Sequence, residues 1–123
     1  MRRYQKGYYI NAEGHKKKAE EIEGSLQKLI PDTKGENVVA IVELACGIVQ
    51  HLIAYGLETK YSEHIDTHVG LPKLLRNLNE EEIAKTFERL YVLRQGRWYG
   101  GRGNGEVVKE CQQIIEKIKE WTK

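Results

Sequence analysis

One apolar stretch, residues 38–57, constrains this chain more than any other feature. A helix of about 20 apolar residues is long enough to cross a bilayer. Glu43, Gln50 and His51 fall inside the stretch, however, and a membrane span would bury an ionisable carboxylate at depth. We therefore predict that this stretch is the buried central helix of a helical bundle, and we do not expect a membrane span.

The segments before the central stretch have the pattern of amphipathic and short helices. Four apolar residues recur at the spacing of one helix face, namely Ala19, Ile22, Leu26 and Ile30. Pro31 should end this helix, because proline cannot continue it. Farther along the chain, Pro72 predicts the first turn of a short helix.

A third long helix is predicted after Asn79. Asn79 and Glu82 have the spacing of a capping box, which places the helix start at about Glu80. Its inward face is predicted to carry residues at helical spacing, namely Ile83, Phe87, Leu90 and Tyr91, followed on the same face by Arg94 and Trp98. An arginine in such a row is unusual, because a bundle ordinarily places an apolar residue there.

The last helix follows a regular 3.6-residue pattern almost to the end of the chain, through Val107, Val108, Cys111, Ile114, Ile115, Ile118 and Trp121. No long run alternates with the period of a strand. We therefore predict an all-α fold, a four-helix up-and-down type bundle with one additional short helix. Residues 1–123 should form one domain.

The composition fits a single core. Of the 123 residues, 40% are hydrophobic and 31% are charged, and the net charge of +2 is too small to indicate nucleic-acid binding on its own. The two cysteines are isolated within apolar runs, so we expect both to be reduced. The first residues lack the apolar core of a secretory signal, and we expect a cytoplasmic protein.

Residues 90–102 contain three arginines and three aromatic residues but no acidic residue. Guanidinium groups bind phosphate oxygens and aromatic rings stack on bases, so this composition is typical of a nucleotide or RNA surface. The candidate ligand-binding residues are Arg94, Arg97, Trp98, Tyr99 and Arg102. In the structural alternative, Tyr91 and Trp98 pack in the core while Arg94 pairs with Glu43.

Other polar clusters carry weaker signals. The glycine-rich residues 100–105 precede a helix N-terminus, where an anion is favoured, but a flexible connection explains them equally well. His64 and His68 have the spacing of two metal ligands on a helix, yet no third ligand is evident. His15 and His51 have no partner at metal spacing. We expect no metal and no other cofactor.

The order of these segments, together with three short motifs, resembles the HEPN domain superfamily of prokaryotic helical bundles. The motifs are LIAYGL at 52–57, HVGLPKLL at 68–75 and LYVLRQGRWYG at 90–100, and the resemblance covers residues 11–123. It implies a bundle that commonly forms a homodimer and is often encoded beside a small nucleotidyltransferase. Members of the superfamily are metal-independent ribonucleases or bind nucleotides and RNA.

Active ribonucleases of this superfamily carry an arginine followed a few residues later by a histidine. Arg94 matches the arginine, but Tyr99 stands at the position of the histidine, and a tyrosine with a pKa of about 10 is a poor base at neutral pH. The resemblance therefore implies a module that binds a nucleotide or RNA phosphate, with a nucleotidyltransferase as its partner. A ribonuclease that uses Arg94 and Tyr99, and an interaction bundle without a ligand, remain the alternatives.

Overall fold

The computed structural model describes residues 11–64, 70–96 and 104–123. These residues form five helices and contain no strand, which confirms the predicted all-α class. In chain order the helices are α1 (Ala12–Gln27), α2 (Val38–Tyr61), α3 (Leu71–Asn77), α4 (Glu81–Arg94) and α5 (Asn104–Trp121). The up-and-down order of the four long helices stays a prediction.

Helix α2 lies at the centre of the bundle, as its apolar sequence predicts. It contacts α1, α4 and α5, and it contributes more buried side chains than any other helix described. Its length and hydropathy would allow it to cross a membrane, and half of its most apolar window is buried within the bundle. Glu43, in the first half of α2, is exposed at the surface of the bundle.

The contact between α2 and α5 requires a glycine. A Cβ atom placed on Gly56 would lie 2.3 Å from Cζ3 of Trp121, far inside van der Waals contact. The missing side chain therefore lets the indole of Trp121 lie directly against the backbone of α2. Lys60, one turn farther along α2, lies 5.8 Å above the same ring.

Asn79 ends α3, and the capping box predicted to begin α4 does not form. Asn79 adopts the left-handed conformation with φ 64°, and its N–H donates to the carbonyl of Arg76 while the N–H of Glu80 donates to that of Leu75. This Schellman pattern satisfies the last carbonyls of α3. The side chain of Glu80, at the N-cap of α4, makes no capping hydrogen bond, and Glu82 accepts a hydrogen bond from Lys117 of α5. The predicted helix start near Glu80 is nevertheless close to the observed one.

The inward face of α4 departs from the predicted face at its end. Ile83, Phe87 and Leu90 are buried as expected, but the row continues through Leu93. Tyr91 and Arg94 lie at the edge of this face and are both exposed, Tyr91 by 40%. The prediction that they face inward was wrong: helical spacing alone would keep Arg94 on this face, but in the last turn of α4 its side chain lies beside the exposed Glu43 of α2. Trp98 lies outside the described residues.

Candidate functional site

Arg94 lies in the last turn of α4 and binds α2 through one hydrogen bond. Its Nε donates to a carboxylate oxygen of Glu43 over 3.1 Å, and the two side chains are 40% and 50% exposed. This hydrogen bond and the charge of Glu43 raise the pKa of Arg94, so the guanidinium stays charged at any physiological pH. The pairing with Glu43 that the sequence offered as an alternative is therefore present, and it leaves the guanidinium open to solvent.

Tyr91 supports the guanidinium from the preceding turn of α4. The Cζ atom of Arg94 lies 5.9 Å from the centre of the Tyr91 ring, within range of a cation–π contact. Between α2 and α4, the cleft beside these side chains has a volume of only about 10 Å³, which is room for about one water molecule. A ligand of Arg94 would therefore bind on the surface of the bundle.

Cys46 lines the same cleft but is not a nucleophile at neutral pH. Burial raises the pKa of its thiol to about 11, although the charge of Arg94 acts in the opposite direction. Burial likewise raises the pKa of Cys111 to about 12. Both thiols are free, as predicted from their isolated positions in the sequence.

Of the five candidate ligand-binding residues, the structure describes Arg94. Arg97, Trp98, Tyr99 and Arg102 lie outside the described residues, as does His68. Helices α4 and α5 are antiparallel, since Arg89 makes two hydrogen bonds to Glu110 and Lys117 contacts Glu82 nearer the start of α4. The end of α4 and the beginning of α5 therefore lie at the same end of the bundle.

A pair of histidines joins α1 and α2, and the sequence analysis missed it. Nδ1 of His15 lies 2.9 Å from Nδ1 of His51, and the ring centres are 5.1 Å apart. His15 is only 3% exposed. The sequence held one signal for this position, because His15 extends the inward row of Ala19 and Leu26 backwards by one turn.

A third histidine, His64, lies close to this pair just beyond α2. Its ring centre is 6.2 Å from that of His15, and its Nδ1 lies 3.4 Å from a carboxylate oxygen of Glu58. Within residues 11–64, 70–96 and 104–123, no group of three or more His, Cys, Asp or Glu side chains is arranged to hold a metal ion. The three histidines are close neighbours without converging on one point.

A larger concavity lies between α1, α2 and α5, away from Arg94. Its volume is about 310 Å³, at the lower limit for a small-molecule site. Its walls carry charges of both signs, and Lys119 is already bound to Glu23 over 2.7 Å. None of the residues predicted from the sequence to bind a ligand lines it.

Comparison with known proteins gives no relative from which a function could be transferred. No family model matches the chain, and neither a curated protein nor a solved structure matches it.

Proposed function

We propose that this chain is a HEPN-like module that binds the phosphate of a nucleotide or of RNA. The observation that carries the proposal is the state of Arg94, which is charged, 40% exposed and oriented by Glu43 and Tyr91. A guanidinium held in this way loses less conformational entropy on binding phosphate than a free surface arginine does. Tyr91 is 40% exposed and adds an aromatic ring beside the guanidinium, a combination that is typical of nucleotide-binding surfaces.

The position of Arg94 in the bundle adds support. The chain continues from Arg94 into the segment with Arg97, Trp98, Tyr99 and Arg102, and from there into α5. Because α4 and α5 are antiparallel, this segment connects two helix ends on the same side of the bundle. We propose that the arginine and aromatic residues of this segment, which lie between Arg94 and α5 in the sequence, contribute to the same phosphate site.

Glu43 makes the test specific, because it competes with a phosphate for the same guanidinium. Arg94→Ala should weaken binding by about 10- to 100-fold, the worth of about 1.5 to 3 kcal/mol for a charged hydrogen bond. Glu43→Gln should strengthen it by about two- to fivefold, since it removes an exposed ion-pair partner. Both effects should shrink at high salt, because screening weakens phosphate contacts.

The experiment is a fluorescence titration of short single-stranded RNA and of nucleoside phosphates at two salt concentrations. Arg89→Ala is the matched control, because Arg89 lies on the same helix and is 51% exposed but is held by two hydrogen bonds to Glu110. If Arg89→Ala weakens binding as much as Arg94→Ala does, the loss comes from net charge and not from a specific site at Arg94. If the wild type binds neither probe, the result would favour an interaction bundle without a ligand. Cleavage of the RNA would instead favour a ribonuclease that uses Arg94 and Tyr99.

We also propose that the module forms a homodimer and has a nucleotidyltransferase as its partner, as the resemblance implies. Val39 is 62% exposed near the start of α2, and Tyr91 and Val92 are each 40% exposed near the end of α4. The pairing of Glu43 with Arg94 brings these two helix ends to the same side of the bundle. Exposed apolar side chains of this kind suit an interface between copies. Sedimentation velocity at micromolar concentration tests it, and a persistent monomer would contradict it.

A further inference from the structure

His15 and His51 make a polar contact between α1 and α2, two helices that also carry many buried apolar side chains. Within the described residues, His15 and Thr86 are the buried polar side chains, and the other buried residues of α1 are the apolar Ala19 and Leu26. Helix α1 crosses α2 in the antiparallel sense, with Ile22 near Gly47 at the other end of the contact. The histidine pair therefore lies where the first turns of α1 are held on the centre of the bundle.

The hydrogen bond itself limits how many protons the pair can hold. At an Nδ1–Nδ1 distance of 2.9 Å, one ring donates and the other accepts, so one hydrogen lies between them. An imidazolium carries a hydrogen on both of its nitrogens. Two imidazoliums would direct two hydrogens at each other across this distance, so the pair in its folded geometry holds at most one positive charge. The unfolded chain can hold two.

Within the described residues, the charges that act on His51 are positive. Lys18 of α1 adds a further positive charge, and the carboxylate of Glu58 already contacts His64. Lys16 lies 5.6 Å above the Tyr55 ring, and Lys119 of α5 is bound to Glu23. The pKa of His51 lies below its usual 6.5, mainly because of burial and further because of the charges of His15 and Lys18.

We propose that the His15–His51 hydrogen bond is a proton-sensitive clamp that holds α1 on α2 at neutral pH and loosens it in mildly acidic solution. The unfolded histidines take up protons as the pH falls through 6.5, whereas the clamped pair resists them. Stability is therefore complete above pH 6.5 and decreases below it. Each proton that the folded state excludes lowers the folding constant by about tenfold per pH unit.

The first experiment measures urea unfolding of the full chain at intervals from pH 5.0 to 8.0. Glu88 and Glu110 have pKa values held below 4.5 by their arginine partners, so these carboxylates stay charged throughout this range. The wild type should lose at least about fivefold in folding constant between pH 6.5 and 5.5, because the unfolded histidines are already half protonated at pH 6.5. His51→Gln should lose about fivefold less over the same interval, because a glutamine amide oxygen can accept from a charged His15. His51 is half-buried, so the variant should fold.

His64→Gln is the matched control and should keep the wild-type pH dependence, because His64 lies outside the shared hydrogen bond. Backbone hydrogen exchange, corrected for the intrinsic effect of pH, gives the second measurement, and protection at pH 5.5 should fall in α1 while α5 retains it. A wild-type stability that does not change from pH 8.0 to 5.0, or equal pH dependence in wild type and His51→Gln, would overturn the proposal. Stabilisation by added ZnCl₂ that is lost in His51→Gln would also overturn it, since the pair would then be metal ligands.

Discussion

Helix α2 makes two polar contacts of nearly equal length, one to α1 and one to α4. They differ in how far each is exposed to water. The His15–His51 distance to α1 is 2.9 Å and the Arg94–Glu43 distance to α4 is 3.1 Å. His15 is 3% exposed, whereas the side chain of Arg94 is 40% exposed. The length of a hydrogen bond therefore says little about its worth, because the cost of losing it depends on whether water can replace the partner.

The two contacts suit different tasks for the same reason. Water cannot readily replace the partner of a buried imidazole, so we expect its contact to respond to protons and to contribute to stability. An exposed guanidinium can exchange a carboxylate for a phosphate at small cost to the fold, so its contact responds to salt and to ligands. The variants below test this contrast, beginning with the largest expected effect.

His15→Ala should destabilise the fold by about 2 to 4 kcal/mol at pH 7.5. It removes a nearly buried ring and leaves a cavity beside His51, which adds to the loss of the hydrogen bond. Urea unfolding measures the loss, with His64→Ala as a control of the same chemistry outside the shared bond. A loss under about 1 kcal/mol would mean that the buried contact is no more valuable than an exposed one.

Gly56→Ala tests an apolar contact, that of Gly56 with Trp121, whose stability can be compared with that of the two polar contacts. The added Cβ would meet the Trp121 ring at 2.3 Å, so we expect a loss of about 1 to 2 kcal/mol despite the better helix propensity of alanine. This loss should depend on neither pH nor salt. Gly24→Ala in α1 is the matched control, because nothing lies within 4 Å of its added methyl group, and it should stabilise the fold by about 0.5 to 1 kcal/mol.

Arg94→Ala should have the smallest effect on stability, below about 1 kcal/mol, because it removes an exposed ion pair. A double-mutant cycle with Glu43→Ala, measured by urea unfolding, isolates the pair from other effects of each substitution. The coupling should disappear in 1 M NaCl, where the screening length is about 3 Å. A coupling that persists at this salt concentration would show that the Arg94–Glu43 pair, like the histidine contact, is shielded from solvent.

Periodicity was sufficient to predict the helices but not the details at their edges. The apolar row of α4 was predicted correctly through Leu90, where the choice between Leu93 and Arg94 depends on the α2 surface that α4 meets. Asn79 has the side chain of a helix cap, and the sequence does not say whether it serves the helix before it or the one after it. Its left-handed backbone assigns it to the end of α3.

The contacts at the candidate site could be predicted only in part, because they join residues that are far apart in the sequence. Arg94 and Glu43 are 51 residues apart in the chain, and their pairing was foreseeable only as one of two alternatives. The His15–His51 contact was not foreseen, because a search for metal-ligand spacing considers neighbours in sequence, and these rings meet through packing of α1 on α2. Extending the inward row of α1 by one turn would have placed His15 on the right face.

The raised pKa values of the two thiols allow thiol labelling to measure how often the core opens. With pKa values of about 11 and 12, Cys46 and Cys111 are almost entirely protonated in the folded state at pH 8. Cys111 is fully enclosed, whereas Cys46 is only half-buried. A thiol reagent added to the native protein must therefore wait for α5 to separate from the bundle before it modifies Cys111. The rate at which Cys111 is labelled, compared with the rate for Cys46, therefore reports how often the core opens. No engineered probe is needed for this measurement.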